Sequence, residues 1–203
     1  MAKSFSIFKP ATFYWTNTYM SYAFIVAVIC LVLVLKFVFL IPGTDPVLQA
    51  LAFAILLPYI YFIGKSVLVT NKFRPLKGKL QGVIVFEKDA IMIADQQFAL
   101  SEISKIEIEA GDWLGLEKWD RGLDNYFENT LSRGVDNKLK LILSNGTTIK
   151  TKFLQLSACE FREIEDIILH YYLNDKISYL QTVDILCLSK QEEWNRLKAL
   201  KSM

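Results

Sequence analysis

Residues 22–41 read YAFIVAVICLVLVLKFVFLI, an apolar run with one charge, Lys36. As a helix this run is long enough to cross a bilayer core of about 30 Å. Pro42 and Gly43 end it, and Pro46 can open the next helix. A second apolar run covers 47–69, with LQALAFAILLPYIYFIGKSVLV as its body. Only PGTD lies between the two, so the spans are expected as antiparallel neighbours. The first run is read as retained. It exceeds a signal-peptide core in length, follows more than twenty residues rich in aromatics, and has no small-residue cleavage pattern after it.

Basic residues near the ends of spans set orientation. Lys3 and Lys9 precede the first run; Lys65 lies near the end of the second, and Lys72, Arg74, Lys77 and Lys79 follow it. The turn holds Asp45 and neither Lys nor Arg. The expected location is a cell inner membrane crossed twice, with both termini cytoplasmic. Residues 1–21 are expected to be cytoplasmic or interfacial, with Tyr14, Trp15, Tyr19 and Tyr22 as an aromatic belt. Residues 70–79 read as a basic juxtamembrane linker. Lys65, Lys72, Arg74, Lys77 and Lys79 are the expected contacts to anionic lipid headgroups, at about 1 kcal/mol per residue near the surface. Lys36 is the intramembrane polar position, read either as snorkelling to the headgroups or as a pairing or ion-path residue. Pro58 is expected to kink the second span.

The 203 residues carry a formal charge of +2, which hides an asymmetry. Through Leu80 there are eight Lys and Arg against one acid; from Gln81 onward there are fifteen against twenty acids. An acidic second part argues against a nucleic-acid partner. In that part the period changes from continuous apolar to alternating. LQGVIVF, the turn EKD and AIMIA read as a β-hairpin; QQFAL and KIEIEA read as further strands. KLKLILSNGTTIKTKFL alternates on both sides of Asn145-Gly146, the signature of a type I′ hairpin turn. Ser157 with Glu160 reads as a capping box. Phe161, Ile164, Ile168 and Tyr171 then form the apolar stripe of a helix.

GVIVFEKDAIMIA, FALSEISKIEIEAGDW, GVDNKLKLILSNGTTIKTKF and the helix to Tyr172 resemble the pleckstrin-homology-like superfold. More narrowly, they resemble the small bacterial GRAM-like domains attached to a pair of transmembrane helices. The resemblance covers 80–173, under half of the chain. It implies an α+β domain, an antiparallel PH-like barrel or sandwich capped by a C-terminal helix, acting in binding or scaffolding. Some eukaryotic members bind phosphoinositides through a basic loop between the first two strands. The corresponding loop here is Glu87-Lys88-Asp89, which is net acidic, so that ligand is not carried over.

Residues 174–203 read as a helical extension of two short helices, with Trp194, Leu197 and Leu200 as the apolar side of the second. No P-loop, HExxH, GxSxG or GxGxxG occurs. His170 is the one histidine, spaced from Glu163 and Asp166 so that the three share a helix face; a metal would need further ligands. Cys30, Cys159 and Cys187 show no CxxC spacing, and free thiols in a reducing cytosol are expected. Neither an enzyme nor a cofactor is expected.

The charged stretch with Trp113, Trp119, Tyr126 and Phe127, together with Trp194, is the expected contact surface for a protein partner or a second copy of the chain. The expected function is a membrane-anchored, non-catalytic scaffold or interaction module, with an immunity-type protein as one version. The alternatives are a subunit of a larger membrane transport or secretion complex, and a membrane-tethered DNA-binding regulator.

Overall fold

The structure, a computed structural model, describes residues 3–68, 72–118, 123 and 126–201, with the side chains of 62 and 65–68 outside that description. The strands are β1 (Lys3–Pro10), β2 (Gly78–Phe86), β3 (Ala90–Ile93), β4 (Gln96–Ala99), β5 (Ile103–Glu109), β6 (Leu114–Glu117), β7 (Leu131–Arg133), β8 (Asn137–Leu143) and β9 (Thr148–Phe153). The helices are α1 (Asn17–Phe37), α2 (Pro46–Ala54), α3 (Leu57–Leu68), α4 (Glu165–Leu173), α5 (Tyr179–Ile185) and α6 (Gln191–Ala199). They fall into two compact units. One is Met1–Ala11, Pro75–Leu116 and Ser132–Met203; the other is Thr12–Arg74 and Glu117–Leu131.

The first unit is a seven-stranded antiparallel sheet in the order β4-β3-β2-β1-β9-β8-β5, followed by the C-terminal helices. Its central strand corrects the expected interfacial segment at 1–21. Residues 3–10 form β1, paired with β2 on one side and β9 on the other. Phe5 and Ile7 alternate with polar residues and enter the core, which is why SFSIF is a strand. The Glu87–Asp89 turn therefore joins the second strand to the third. The connection between the first two strands is residues 11–77, which hold both apolar runs.

A closed barrel does not form. β4 and β5 are the outermost strands, yet only Leu100–Glu102 separates them in the chain. Four backbone steps reach about 14 Å at most, so the sheet must curl to bring its two edges together. No ladder joins those edges in the sheet order. The β5 edge is covered another way. Ile106 N–H donates to the Lys176 carbonyl at 2.8 Å, Lys176 Nζ donates to the Ile103 carbonyl at 2.6 Å, and Gln181 Nε2 donates to the Ile108 carbonyl at 3.2 Å. An edge blocked in this way cannot template another strand.

The core is aromatic at its centre. Phe5 stacks on Phe161 with centroids 4.6 Å apart and meets Phe86 and Phe153 edge-on at 5.6 and 5.4 Å. Such pairs contribute about 0.5–1.5 kcal/mol each beyond area burial. Phe161, Ile164, Ile168 and Tyr171 supply the helical side of this core, the stripe expected from sequence. Tyr171 Oη donates to the carbonyls of Glu87 and Ala90, tying α4 to the β2–β3 turn. Burial, with the charges of Glu87 and Asp89 beside it, pushes that phenol above its ordinary range.

Two local expectations change. The Asn145-Gly146 turn is not type I′, because only Gly146 takes positive φ, +84°. Gly146 N–H donates to the Leu143 carbonyl and Leu143 N–H to the Thr147 carbonyl, both at 2.9 Å, the three-residue loop with a left-handed glycine. Ser157 does not cap a helix. Glu160 instead accepts from Leu156 N–H at 2.6 Å, and a 3-10 turn over Glu160–Ile164 leads into α4.

In the second unit, α1 has 21 residues, which rise about 31 Å. Thr16 caps it, accepting from Tyr19 N–H at 3.1 Å. Among the described residues it is the one helix long and apolar enough to cross a membrane. The expected second span is not continuous. α2 ends at Ala54 and α3 begins at Leu57, with Leu56 N–H turned to the Phe53 carbonyl at 2.9 Å. Pro58 is the reason: it lacks the N–H that would bond Ala54, and its ring clashes with that carbonyl. Lys36 falls in the last turn of α1, which ends four residues earlier than the apolar run, at Phe37.

Candidate functional site

The register of β1, β9, β8 and β5 builds a charged face on the sheet side away from the core. Lys138 lies opposite Lys152, and Lys140 opposite Lys150. Glu109 and Glu107 continue these two rows on β5, and Phe8 ends the Lys152 row on β1. Four lysines thus form a two-by-two block, although like charges directly opposite each other are destabilising. With Lys9 they line a cleft of about 650 Å³, five lysines against two glutamates.

Strand alternation places Phe8, which follows core-facing Ile7, in the wall of this cleft. The bulge opposite it puts its extra residue in β2, where two steps of β1 (Ser6 to Phe8) face three of β2 (Val83 to Leu80). Gly78 leaves room for Phe8, since a Cβ there would stand 2.7 Å from the Phe8 ring and 2.2 Å from the Lys9 carbonyl oxygen. The flanking acids pair with the β8 lysine of each row. Lys140 Nζ lies 2.9 Å and Lys105 Nζ 2.8 Å from Glu107, and Lys138 Nζ lies 2.7 Å from Glu109. Hydrogen bonds from Lys105 and Lys140 hold the Glu107 carboxyl below its ordinary value, and the bond to Glu109 holds the Lys138 ammonium above its own. Lys152 meets Asp136 at 3.4 Å. Lys9 and Lys150 have no ion pair among the described residues.

The expected contact aromatics land elsewhere. Phe127 is buried within the helical unit, its ring 5.4 Å from Tyr59 and 6.0 Å from Tyr22. Tyr126 is partly exposed and stacks edge-on against Tyr59. These two residues are a strap on the chain's own helices, so Phe127 offers no surface to a partner. Trp113 is half-buried, and Trp194 is half-buried with Nε1 donating to the Leu188 carbonyl at 2.7 Å. Trp119 and the side chain of Lys65 lie outside the described residues.

Among the expected lipid contacts, Lys72 and Lys79 are exposed and Lys77 is half-buried. Arg74 is turned inward: Nε donates to the Asn129 carbonyl at 2.9 Å and Nη2 to the Lys118 carbonyl at 3.3 Å. Its role is to hold the strap, because a guanidinium fork satisfies two carbonyls at once.

Comparison of the chain with protein-family models, with curated proteins and with solved structures returns no match.

Asp112 is buried in a clasp in which Asn137 Nδ2 donates to the Asp112 and Gly134 carbonyls at 2.7 and 2.9 Å and Asp112 Oδ2 accepts from Asp136 N–H at 2.9 Å. This closes the base of the excursion between β5 and β8. His170 stands 3.7 Å from Asp89 and beside Asn174. The described residues hold no group of three His, Cys, Asp or Glu placed for a metal. The expected free thiols are corrected: Cys159 and Cys187 form a disulfide with Cα atoms 5.7 Å apart, and Cys30 alone is free. The expected type I′ turn does not predict the β8–β9 lysine block. A two-residue turn at Asn145-Gly146 sets Lys138 against Phe153 and Lys140 against Thr151; the three-residue loop shifts the register so that lysine meets lysine.

Proposed function

We propose that the chain is a membrane-anchored, non-catalytic module of PH-like architecture, serving as a scaffold or interaction protein at the cytoplasmic face of a bacterial membrane. The observation that carries this reading is the surface of α1. Of its 21 residues only Thr18 and Val28 are buried. A core helix of a soluble protein buries an apolar stripe, whereas a helix apolar all round and exposed to its surroundings calls for lipid. In this reading α2 and α3 together make a broken return span, with Pro58 at the break. Seven curled antiparallel strands followed by α4 support the PH-like assignment. The basic residues flanking the two runs support a cytoplasmic sheet.

Alkaline carbonate extraction of membranes tests the anchor. The chain is expected to stay in the pellet, and release into the supernatant removes the reading.

A second reading reverses the orientation, and the Cys159–Cys187 disulfide favours it, since such bonds persist mainly in oxidising compartments. The two are separated with Thr147→Cys, in the exposed β8–β9 loop. An impermeant maleimide that labels it only after the cells are opened supports the cytoplasmic sheet. Labelling of intact cells supports the reverse.

A further inference from the structure

From the β1–β9–β8–β5 face we infer that the sheet itself docks on the anionic headgroups of the bilayer that holds the chain, with Lys9, Lys138, Lys150 and Lys152 as the contacting groups. The inference rests on the membrane-anchored reading and adds a second attachment, made by the folded sheet and not by the basic linker.

Three observations converge on this face. The first is charge: the cleft carries five lysines and two glutamates, a net +3, and all but Lys9 come from the acidic second part of the chain. Lys138–Lys152 and Lys140–Lys150 stand as like-charged neighbours. An arrangement that repels itself in isolation is relieved by a polyanion laid across it.

The second is side-chain type. Every cation in this cleft is lysine and none is arginine. Arginine's planar fork suits bidentate recognition of one carboxylate or phosphate at a fixed angle, whereas lysine is a hydrated point charge on a flexible stem. An array of such flexible charges fits a fluid layer of phosphates better than an acidic peptide needing fixed geometry.

The third is chain connectivity. Lys9 and Pro10 end β1, and α1 begins at Asn17, so six residues separate the cleft from the membrane helix. Six residues reach about 20 Å when extended. A lysine array on so short a tether meets the bilayer surface at high effective concentration.

The test uses the full chain reconstituted in vesicles of phosphatidylcholine alone or of phosphatidylcholine with phosphatidylglycerol. Amine acetylation rates are read at each lysine by peptide mass spectrometry. With phosphatidylglycerol present, Lys150 and Lys152 are expected to react about fivefold more slowly. High salt should abolish the difference as the Debye length falls to about 3 Å at 1 M. Lys88, in the exposed β2–β3 turn, is expected to react alike in both vesicles. The doubly substituted chain Lys150→Gln, Lys152→Gln, which keeps polar side chains on the face away from the core, is expected to lose the protection at Lys138 and Lys9.

Equal rates at Lys150 and Lys152 in both vesicles overturn the inference. So does equal protection in phosphatidylcholine vesicles by inorganic phosphate, which would assign the face to a soluble anion. Protection there by polyglutamate matching that of phosphatidylglycerol overturns it in favour of an acidic polypeptide. A chain that carbonate strips from either vesicle instead removes the anchored reading itself, so the two failures are told apart.

Discussion

Glu128 Oε1 accepts the backbone N–H of Thr18 at 3.3 Å, and both residues are buried. Thr18 lies in the first turn of α1, and its own hydroxyl oxygen accepts Phe127 N–H at 3.0 Å. The strap and the apolar helix are thus joined by reciprocal bonds at the helix end where N–H groups lack intrahelical partners and the dipole favours negative charge. Phe127, expected from the sequence as a contact residue, and Glu128 beside it are both buried in the helical unit.

Glu128→Ala is expected to loosen this join by about 1–2 kcal/mol, the range for losing a buried carboxylate acceptor at a helix N-terminus. Glu128→Gln keeps an acceptor and removes a charge whose second oxygen, Oε2, has no hydrogen-bond partner among the described residues. It is expected to stay within about 1 kcal/mol of the native chain. Limited proteolysis around Tyr126–Leu131 in detergent measures both. Equal cleavage of the Ala and native chains would contradict the assignment.

Pro58→Ala restores the missing N–H and removes the ring clash with the Ala54 carbonyl. Proline in a helix interior costs about 3 kcal/mol relative to alanine. The variant is expected to join α2 and α3 into one helix and to raise the helical circular dichroism signal in detergent. An unchanged signal would mean that something other than the proline breaks the second run.

The Cys159–Cys187 bond spans 28 positions. In the chain-entropy account, closing a loop of that length contributes about 3–4 kcal/mol. Arg162 holds the same junction, with Nε donating to the Leu186 carbonyl at 2.7 Å and Nη2 3.0 Å from Glu193. Reduction, or Cys187→Ser, is expected to lower the thermal midpoint and to raise hydrogen exchange in α5 and α6 before the sheet strands. Uniform loss of protection across the sheet would contradict a local clasp.

Acid is expected to weaken the charged face before the core. The folded Glu107 carboxyl sits below its ordinary value of 4.5, through bonds from Lys105 and Lys140. A lowered folded value contributes stability that is present above 4.5 and is lost as pH falls through the folded value. Glu107→Gln should therefore flatten the acid limb of a plot of thermal midpoint against pH while leaving the neutral side nearly level. An acid limb of unchanged slope would show that the pair contributes nothing, as exposed pairs sometimes do.

The elements with a strong periodic signal were legible. Residues 22–41 gave α1, the alternation around Asn145-Gly146 gave β8 and β9, and the Phe161–Tyr171 stripe gave the helical side of the core. What failed did so where a local pattern had a competing reading. KSFSIFKP alternates as a strand should, but it leads into an apolar run whose hydropathy outweighs so short an alternation. The 47–69 run is apolar throughout, and hydropathy does not register a missing N–H at Pro58.

The sequence by itself determined that this protein has a helix fit for lipid, an alternating β-rich part and no known catalytic motif, because hydropathy and period are local properties. Only the tertiary structure decided that the apolar segment interrupts the sheet between its first two strands. Only it decided that Phe127 and Glu128 serve the helices, that Cys159 meets Cys187, and that lysines from three strands share one face. Each of these is a pairing between distant residues, and register, which no single stretch of chain encodes, fixes which partners meet.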